Sequence, residues 1–433
     1  MSSMTQGIIV LVGSFALLLI MGVEISYTLG ISAVLTCLYM NINLQTVFQT
    51  IFYKMSNYSL LAVPCFMLMG EFMSIGTMAD SIEELATVLV GWMPGGLAMV
   101  NVVDSMFFGG VSGSSVADVS SLGPITIKLM TDAGYDKDFS VALTCTSAIQ
   151  GIIIPPSHNL VIYAVTAGGV SVAALYMGGY LSGIVLGLCL AVYCFFVSKK
   201  RHYPVVKGIT FRRFVHAVWI SLPMIITMVI VVGGVLFGWM TATESAAAAA
   251  VITFIYTFCI ERKGSWKALL NAFKKVSKTI GSVLILAACA TAFSWVITYL
   301  RIPQIVTQGL FSITNSKFLM LLIINVVLLI MGCFMNMLSI VYIMVPILLP
   351  VVKALGMHEV QCGIMMIMNL GIGLLTPPVG QVLFVGCSVG ETSMERLTKA
   401  LLPQMAFMVL ALILVTYIPA ITMWLPQYFG YIK

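Results

Sequence analysis

Charged residues are scarce in this sequence of 433 residues. Asp, Glu, Lys and Arg make up 8% of it, whereas 60% is hydrophobic and the mean hydropathy is +1.08. Typical soluble domains carry about 25% charged residues, so this composition excludes a soluble globular protein. Long apolar runs such as 7–21 and 318–331 are typical of membrane-spanning helices and not of the short alternating strands of a barrel. We therefore predict an all-α polytopic membrane protein.

Recognisable metal, nucleotide and catalytic motifs are also missing. The ten cysteines form no Cys-x-x-Cys pair and no Cys/His cluster with zinc-site spacing. The sequence has neither a P-loop nor a Rossmann glycine pattern, and no nucleophile lies near a base in a known motif. Because it has no nucleotide-binding module, the chain cannot couple to ATP by itself.

Basic residues concentrate in two short segments. Of the 21 Lys and Arg residues, six fall within 199–213 and six within 262–278, separated by hydrophobic sequence. Such clusters mark cytoplasmic loops, and the sequence between them is long enough for two spans. The net charge of +6 is therefore interpreted as membrane topology and not as a nucleic-acid surface. We predict that both loops lie in the cytoplasm and that both termini lie on the opposite side of the membrane.

The chain contains an internal repeat at an offset of about 222 residues. Gly-Ile-Ile-Ile-Pro-Pro at 151–156 has a counterpart, Gly-Leu-Leu-Thr-Pro-Pro, at 373–378, and Pro124 matches Pro346. Earlier in each half the offset drifts to 221 and 220. Each half is predicted to hold two spans, an amphipathic stretch, a third span, a re-entrant hairpin, a broken helix and a final span. Because five crossings are an odd number, the second repeat is expected to be inverted.

The repeat also predicts a division into two domains that alternate along the chain. A transport domain is expected from the hairpins and broken helices. A scaffold is expected from the first two spans of each half, the amphipathic arms and the final spans. The first repeat is predicted at 7–198, with scaffold at 7–57 and transport elements at 96–170. A basic linker with the start of the next span is predicted at 199–226. The second repeat is predicted at 227–425, with a scaffold arm at 261–278 and transport elements at 318–392.

Polar and small residues interrupt the apolar sequence at three places. The first hairpin has the tip Gly-Gly-Val-Ser-Gly-Ser-Ser at 109–115, and helices are broken at Pro155-Pro156 and at Pro377-Pro378. Non-helical backbone is tolerated at membrane depth only where protein buries it or a wet cavity receives it. Free helix ends, carbonyls and hydroxyls at such breaks bind anions and small cations. The alternatives are a small-residue packing face for the tip and a simple kink for each proline pair.

Four carboxylates lie within apolar sequence. Glu71, Asp104, Asp118 and Glu244 are functional candidates because a charge in lipid is costly, and Asp118 is favoured among them. For Glu244 we favour a role at a helix N-terminus. His158 can titrate, contact a substrate, cap the half-helix that follows or pack against its neighbours, and we favour a capping or packing role. These features favour a gradient-driven secondary transporter over an intramembrane enzyme that would use Asp104 and Asp118 as an acidic pair.

At these motifs the sequence resembles the DctM-like family, the large membrane subunit of tripartite ATP-independent periplasmic (TRAP) transporters. The similarity is distributed over nearly the whole chain. The matching stretches are Leu-Leu-Ala-Val-Pro at 60–64 with Gly70 and Glu71, Ser112 to Asp118, Ile-Pro-Pro-Ser at 154–157 with Leu-Val-Ile-Tyr at 160–163, Thr-Glu-Ser-Ala-Ala at 243–247, and Leu-Leu-Thr-Pro-Pro-Val-Gly at 374–380.

The resemblance implies an elevator-type ion-transporter fold with two inverted repeats and no enzymatic activity. It also implies a multi-pass protein of the bacterial inner membrane, so that both termini would lie in the periplasm. It implies Na⁺-coupled import of an organic acid anion, such as a C4-dicarboxylate or a sugar acid. The implied partners are a small four-helix membrane subunit (DctQ-like) and a periplasmic substrate-binding protein (DctP-like). The alternative is a stand-alone Na⁺/dicarboxylate or anion symporter of related fold that works without partners.

The resemblance also implies the residues of the site. Family members usually have an aspartate at the position of Asn336, so one anionic ligand is absent here, and a small or apolar residue at the position of His158. The implied ligands are Ser112, Ser114, Gly151, Ile154 and Pro156 for a first Na⁺, Asn336, Gly373, Thr376 and Pro378 for a mirrored Na⁺, and Ser114, Asp118, His158 and Asn159 for the substrate.

Overall fold

The computed structural model describes residues 3–432, and all regular secondary structure in this range is helical. Within it, nine helices are long and apolar enough to cross a membrane. This confirms the all-α membrane fold that the composition predicts.

The first half of the chain forms eleven helices. Short 3₁₀ turns at Tyr58–Leu61 and Ala148–Ile152 precede α4 and follow α9, respectively. The helices are α1 (Ser3–Ile20), α2 (Ile25–Tyr39), α3 (Leu44–Met55), α4 (Ala62–Ile75), α5 (Met78–Val90), α6 (Gly96–Ser112), α7 (Ser115–Ser121), α8 (Gly123–Asp132), α9 (Lys137–Ser147), α10 (His158–Thr166) and α11 (Val172–Arg201).

The second half forms ten helices. A π-helical turn at Ile255–Ile260 extends the second of them. The helices are α12 (Phe211–Leu236), α13 (Ala242–Phe254), α14 (Trp266–Tyr299), α15 (Ile302–Ile313), α16 (Lys317–Phe334), α17 (Met337–Ala354), α18 (Glu359–Gly373), α19 (Gln381–Gly390), α20 (Met394–Tyr417) and α21 (Pro419–Tyr428).

Capping side chains explain where several helices begin. The N–H of Thr241 donates to Glu244 Oε2 at 2.8 Å, and the N–H of Glu244 donates to Thr241 Oγ1 at 3.2 Å, so the two residues form a capping box at the start of α13. This confirms the prediction that Glu244 lies at a helix N-terminus. Asp136 caps α9 by accepting a hydrogen bond from the N–H of Phe139 at 2.8 Å.

The two amphipathic arms differ in structure. In the first half, the arm α3 ends at Met55, and Asn57 starts the next turn by accepting a hydrogen bond from the N–H of Ser59 at 2.9 Å. In the second half, the predicted arm is not separate, because α14 continues without a break through the third span. Lys278 stands 221 positions after Asn57 and has no acceptor that could cap a new helix.

Both predicted helix breaks are present. The first separates Ile152 from α10, and the second separates α18 from α19. The peptide bonds Pro155-Pro156 and Pro377-Pro378 at these breaks are both cis. The prolines cannot donate the backbone hydrogen bonds that a continuous helix requires, which explains why both helices stop here.

Matching buried hydrogen bonds join the hairpin to the broken helix in each half. In the first half, the Ser147 hydroxyl of α9 donates to Asn101 Oδ1 of α6 at 2.8 Å. In the second half, the Asn369 amide of α18 donates to Asn325 Oδ1 of α16, also at 2.8 Å. Ser147 and Asn369 are 222 positions apart, whereas Asn101 and Asn325 are 224 apart, so the two contacts are similar but not strictly equivalent in the repeat.

Candidate functional site

The first hairpin tip is a tight turn between α6 and α7. Gly113 has a φ of +61°, a left-handed conformation that favours glycine, and Ser114 caps α7 by accepting a hydrogen bond from the N–H of Ala117 at 3.4 Å. The side-chain amide of Asn159, in the first turn of α10, donates to the carbonyl of Gly113 at 3.0 Å. The tip is therefore tied to the helix that follows the proline break.

Asp118 lies beneath this tip. Its side chain is buried, and its Oδ1 accepts a hydrogen bond from the Ser112 hydroxyl. Its Oδ2 has no hydrogen-bond partner within residues 3–432, and a Cβ built on Gly151 would lie 2.8 Å from it. Asp118 was predicted to contact the substrate; it does not line the cavity described below but is hydrogen-bonded to Ser112, which does.

Glycine pairs bring each hairpin into backbone contact with its broken helix. Cβ atoms built on Gly109 or Gly151 would collide with the Cα of the other residue. In the second half, a Cβ built on Gly373 would lie 2.7 Å from the Cα of Gly332. Only glycine allows this approach, so the predicted cation positions Gly151 and Gly373 lie where two backbones meet.

The second tip repeats the geometry of the first. Asn336 caps α17 by accepting a hydrogen bond from the N–H of Leu338 at 2.9 Å, and its amide lies 3.5 Å from Gln381 Oε1 in the first turn of α19. Asn336 and Gln381 each stand 222 positions after Ser114 and Asn159, respectively. At each tip, a polar residue caps the helix that follows, and the half-helix beyond the proline break contacts the tip.

Several polar groups at the breaks are already hydrogen-bonded. The Ser157 hydroxyl donates to the carbonyl of Ile152 at 2.7 Å, and the Tyr180 hydroxyl donates to the carbonyl of Pro155 at 2.9 Å. The Thr376 hydroxyl donates to the carbonyl of Ile372 at 3.0 Å. The predicted cation positions Ile154, Pro156, Thr376 and Pro378 lie within these breaks.

A cavity of about 480 Å³ lies between the two tips. It brings together parts of both halves of the chain that are more than 200 positions apart in sequence. The predicted residues Asp118, Gly151, Ile154, Pro156, Gly373, Thr376 and Pro378 do not line it. The polar residues that line it include Ser112, Ser114, His158, Asn159, Asn336, Gln381, Glu71 and Lys275.

An ion pair on the wall of this cavity was not predicted. Lys275 Nζ of α14 lies 2.5 Å from Glu71 Oε1 of α4. The sequence marked Glu71 as a carboxylate in apolar surroundings, and Lys275 as a member of a basic cluster. Nothing in the sequence indicates that Glu71 and Lys275 form a pair, because the pairing depends on how α4 and α14 pack.

His158 is a third titratable group on the cavity wall. It is 7% exposed, and its Nδ1 has no hydrogen-bond partner within residues 3–432. The alternative that it caps α10 is wrong, because Ser157 holds the cap position and no side chain caps this helix. His158 instead packs beside Gly113 at the first tip, where a built Cβ would lie 2.8 Å from Nδ1.

Comparison with known proteins identifies the family. Residues 12–421 match the family described as tripartite ATP-independent periplasmic transporter, DctM component. Two relatives from Vibrio cholerae are each 35% identical: a C4-dicarboxylate TRAP transporter large permease protein, covering 94% of this chain and 95% of the relative, and a sialic acid TRAP transporter large permease protein, covering 87% and 88%. These relatives are permeases and not enzymes.

A solved structure supports the fold independently. The crystal structure of the YdaH transporter of Alcanivorax borkumensis matches with a TM-score of 0.65 over 86% of this chain and 88% of that one. At 14% sequence identity this likeness concerns the fold alone. The family match over residues 12–421 and the two relatives establish that the protein belongs to the DctM family, the large permease subunits of TRAP transporters.

Proposed function

We propose that this subunit imports an organic acid anion in symport with Na⁺ by an elevator mechanism. The observation that carries the proposal is the cavity between the two hairpin tips. Hydroxyl and amide donors from Ser114 and Asn159 and the ammonium group of Lys275 face the same space. Donors of this kind suit a carboxylate, because hydrogen bonds to charged groups are among the stronger ones in proteins.

The substrate class follows from the relatives and from this donor set. The two named relatives transport a C4-dicarboxylate and a sialic acid, both of which are carboxylates. We propose a small carboxylate or sugar acid for this chain too. His158, with its free Nδ1, lies on the wall where it can donate to or accept from a hydroxyl group of the substrate.

We propose that Na⁺ binds where each hairpin meets its broken helix. The free Oδ2 of Asp118, against Gly151, supports a cation at the first junction, because an unpaired carboxylate oxygen in a buried site is costly. At the second junction, Asn336 offers only a neutral oxygen. Bound cations would hold each tip against its half-helix and favour movement of the loaded domain.

The packing of the helices supports the division into scaffold and transport domains. Helix α2 packs against α14, and α4 packs against α13, so the initial spans of one half contact those of the other. The hairpin helices α6 and α7 pack against the turn Ala148–Ile152, and α6 also packs against α5 and α11. We propose that the second group slides against the first and carries the hairpin tips, with the anion held at them, across the membrane.

The proposed complex includes a DctQ-like small membrane subunit and a DctP-like binding protein. The family description, a tripartite transporter, supports this composition. The basic segments 199–213 and 262–278 favour a cytoplasmic position for both loops, with the termini in the periplasm. The binding protein would then deliver the anion on the side opposite to the two basic segments.

Uptake into proteoliposomes tests this function. The chain and its small subunit are reconstituted, and the uptake of radiolabelled succinate, pyruvate, gluconate and sialic acid is measured with an inward Na⁺ gradient, with and without the binding protein. We expect uptake of one class of acid only when both the gradient and the binding protein are present. Uptake that needs neither partner would instead establish the stand-alone symporter.

A further inference from the structure

A second, smaller cavity is lined largely by residues that are equivalent, in the internal repeat, to residues that line the cavity between the tips. Its volume is about 20 Å³, room for about one water molecule. Seven of its ten lining residues stand 220 to 222 positions away from residues that line the large cavity. Lys54 corresponds to Lys275 on the amphipathic arms, and Thr291 corresponds to Glu71 on the third spans.

The match includes the helix that follows each hairpin tip. Tyr342 of α17 lines the small cavity and stands 222 positions after Ser120 of α7, which lines the large one. The Tyr342 hydroxyl is buried and has no hydrogen-bond partner within residues 3–432. A polar group without a partner next to a lysine indicates a place where a polar ligand belongs.

Each of the two equivalent cavities is therefore lined by one lysine, Lys54 in the small cavity and Lys275 in the large one. In an inverted repeat, equivalent positions lie on opposite sides of the membrane. The structure shows one of the two equivalent cavities wide and the other nearly closed, as expected for one of two alternating states. Lys275 pairs with Glu71 at 2.5 Å, whereas Lys54 has no ion pair within the described part of the chain.

We propose that Lys54 and Lys275 are equivalent residues that bind the anion, one on each side of the membrane. In this proposal Glu71 forms an ion pair with Lys275 until the anion replaces Glu71. This inference rests on the proposed transport function and adds the residues that receive the substrate. Lys54 would contact the anion as it arrives from the periplasmic side, and Lys275 would contact it on the cytoplasmic side. Thr291 has no charge, so Lys54 has no competing carboxylate at the position equivalent to Glu71.

Side-specific transport kinetics test the proposal. In proteoliposomes, binding protein added outside selects complexes of one orientation, and the probe is whichever of succinate, pyruvate, gluconate and sialic acid the wild type transports fastest. We expect Lys54→Gln to raise the half-saturating concentration of loaded binding protein in uptake by about tenfold, the order expected for losing a hydrogen bond to a charged group. We expect Lys275→Gln to raise the half-saturating internal concentration of the anion in efflux by a similar factor.

Three further variants separate a binding role from a structural one. Lys275→Arg retains the charge and should keep the half-saturating internal concentration near that of the wild type. Glu71→Gln removes the competing carboxylate and should lower that concentration. Lys274→Gln is the matched control, because Lys274 is the exposed neighbour of Lys275 on α14 and does not line the cavity.

The possible results are distinguishable. If the wild type shows no Na⁺-dependent uptake of any acid with its binding protein, the proposed function fails. If the wild type transports but the Lys54 and Lys275 variants match Lys274→Gln, the two lysines do not receive the anion. The proposal is also overturned if both variants raise the half-saturating concentration from the same side, or if they lower only the maximal rate.

Discussion

The backbone contact at Gly151 gives a quantitative prediction. In Gly151→Ala, the new methyl group would collide with the Cα of Gly109 and lie 2.8 Å from Asp118 Oδ2. Neither the backbone nor the buried carboxylate can move away easily, because the Ser112 hydroxyl and the tip hold that carboxylate. Forcing an extra carbon into a well-packed site costs about 1–3 kcal/mol. The hairpin must separate from the broken helix by several tenths of an ångström to admit it.

The assay compares unfolding rates of purified protein in detergent. Large membrane proteins often unfold irreversibly, so the rate at fixed temperature is the useful quantity. If the collision raises the free energy of the native state but not that of the unfolding transition state, Gly151→Ala should unfold about tenfold faster than the wild type. Gly373→Ala, whose methyl would lie 2.7 Å from the Cα of Gly332, should behave in the same way.

Gly281→Ala is the matched control. Gly281 lies within α14, and a built Cβ has no other atom within 4 Å apart from its own helix. Alanine favours a helix over glycine by about 1 kcal/mol, so this variant should unfold no faster than the wild type. If Gly151→Ala and Gly281→Ala unfold at the same rate, the close approach of hairpin and broken helix is refuted.

Three further predictions concern single side chains. Asn369→Ala removes the buried hydrogen bond to Asn325, a loss of about 1–3 kcal/mol, and should raise the unfolding rate in the same detergent assay; an unchanged rate would contradict the contact. Hydrogen bonds from Arg213 at 2.6 and 2.9 Å lower the pKa of Glu84 in the folded protein. The pair therefore stabilises the folded state fully at pH values above about 4.3, the pKa of Glu in the unfolded state. This stabilisation is lost as the pH falls through the lower pKa of the folded state. Because the pair is partly exposed, Glu84→Gln should remove at most about 1 kcal/mol at pH 7 and flatten the acid limb of stability against pH, and an acid limb identical to that of the wild type would contradict this assignment. Asn336→Asp adds an anionic oxygen at the second tip and should lower the half-saturating Na⁺ concentration for uptake, whereas an unchanged Na⁺ dependence would place the second cation elsewhere.

The helix breaks could be predicted because their cause is local. Pro155-Pro156 and Pro377-Pro378 remove backbone donors wherever they stand, and their spacing exposed the repeat. The first tip was also visible as a run of small and polar residues at 109–115. The second tip was not predicted from its own residues, because Asn336 was named only through the family resemblance, and the capping bonds of Ser114 and Asn336 were not predicted.

Contacts between distant helices could not be predicted in the same way. The ion pair of Glu71 with Lys275 joins helices that are far apart in sequence, and neither residue carries a motif that names its partner. Asp118 lies under the tip because α7 turns its side chain toward Gly151, a direction that depends on the packing of α7 against the turn Ala148–Ile152. The unbroken α14 also differs from the expected separate arm, since Lys278 stands where Asn57 starts a new helix in the first half.

The central claim is that the Na⁺ gradient drives an anion through the cavity between the tips. The most direct measurement is the steady-state ratio of internal to external anion in proteoliposomes with the complete complex, under an inward, a zero and an outward Na⁺ gradient at fixed pH and membrane potential. The account predicts accumulation above equilibrium with the inward gradient, equilibration without a gradient and depletion with the outward one. A ratio that does not change with the Na⁺ gradient would contradict it.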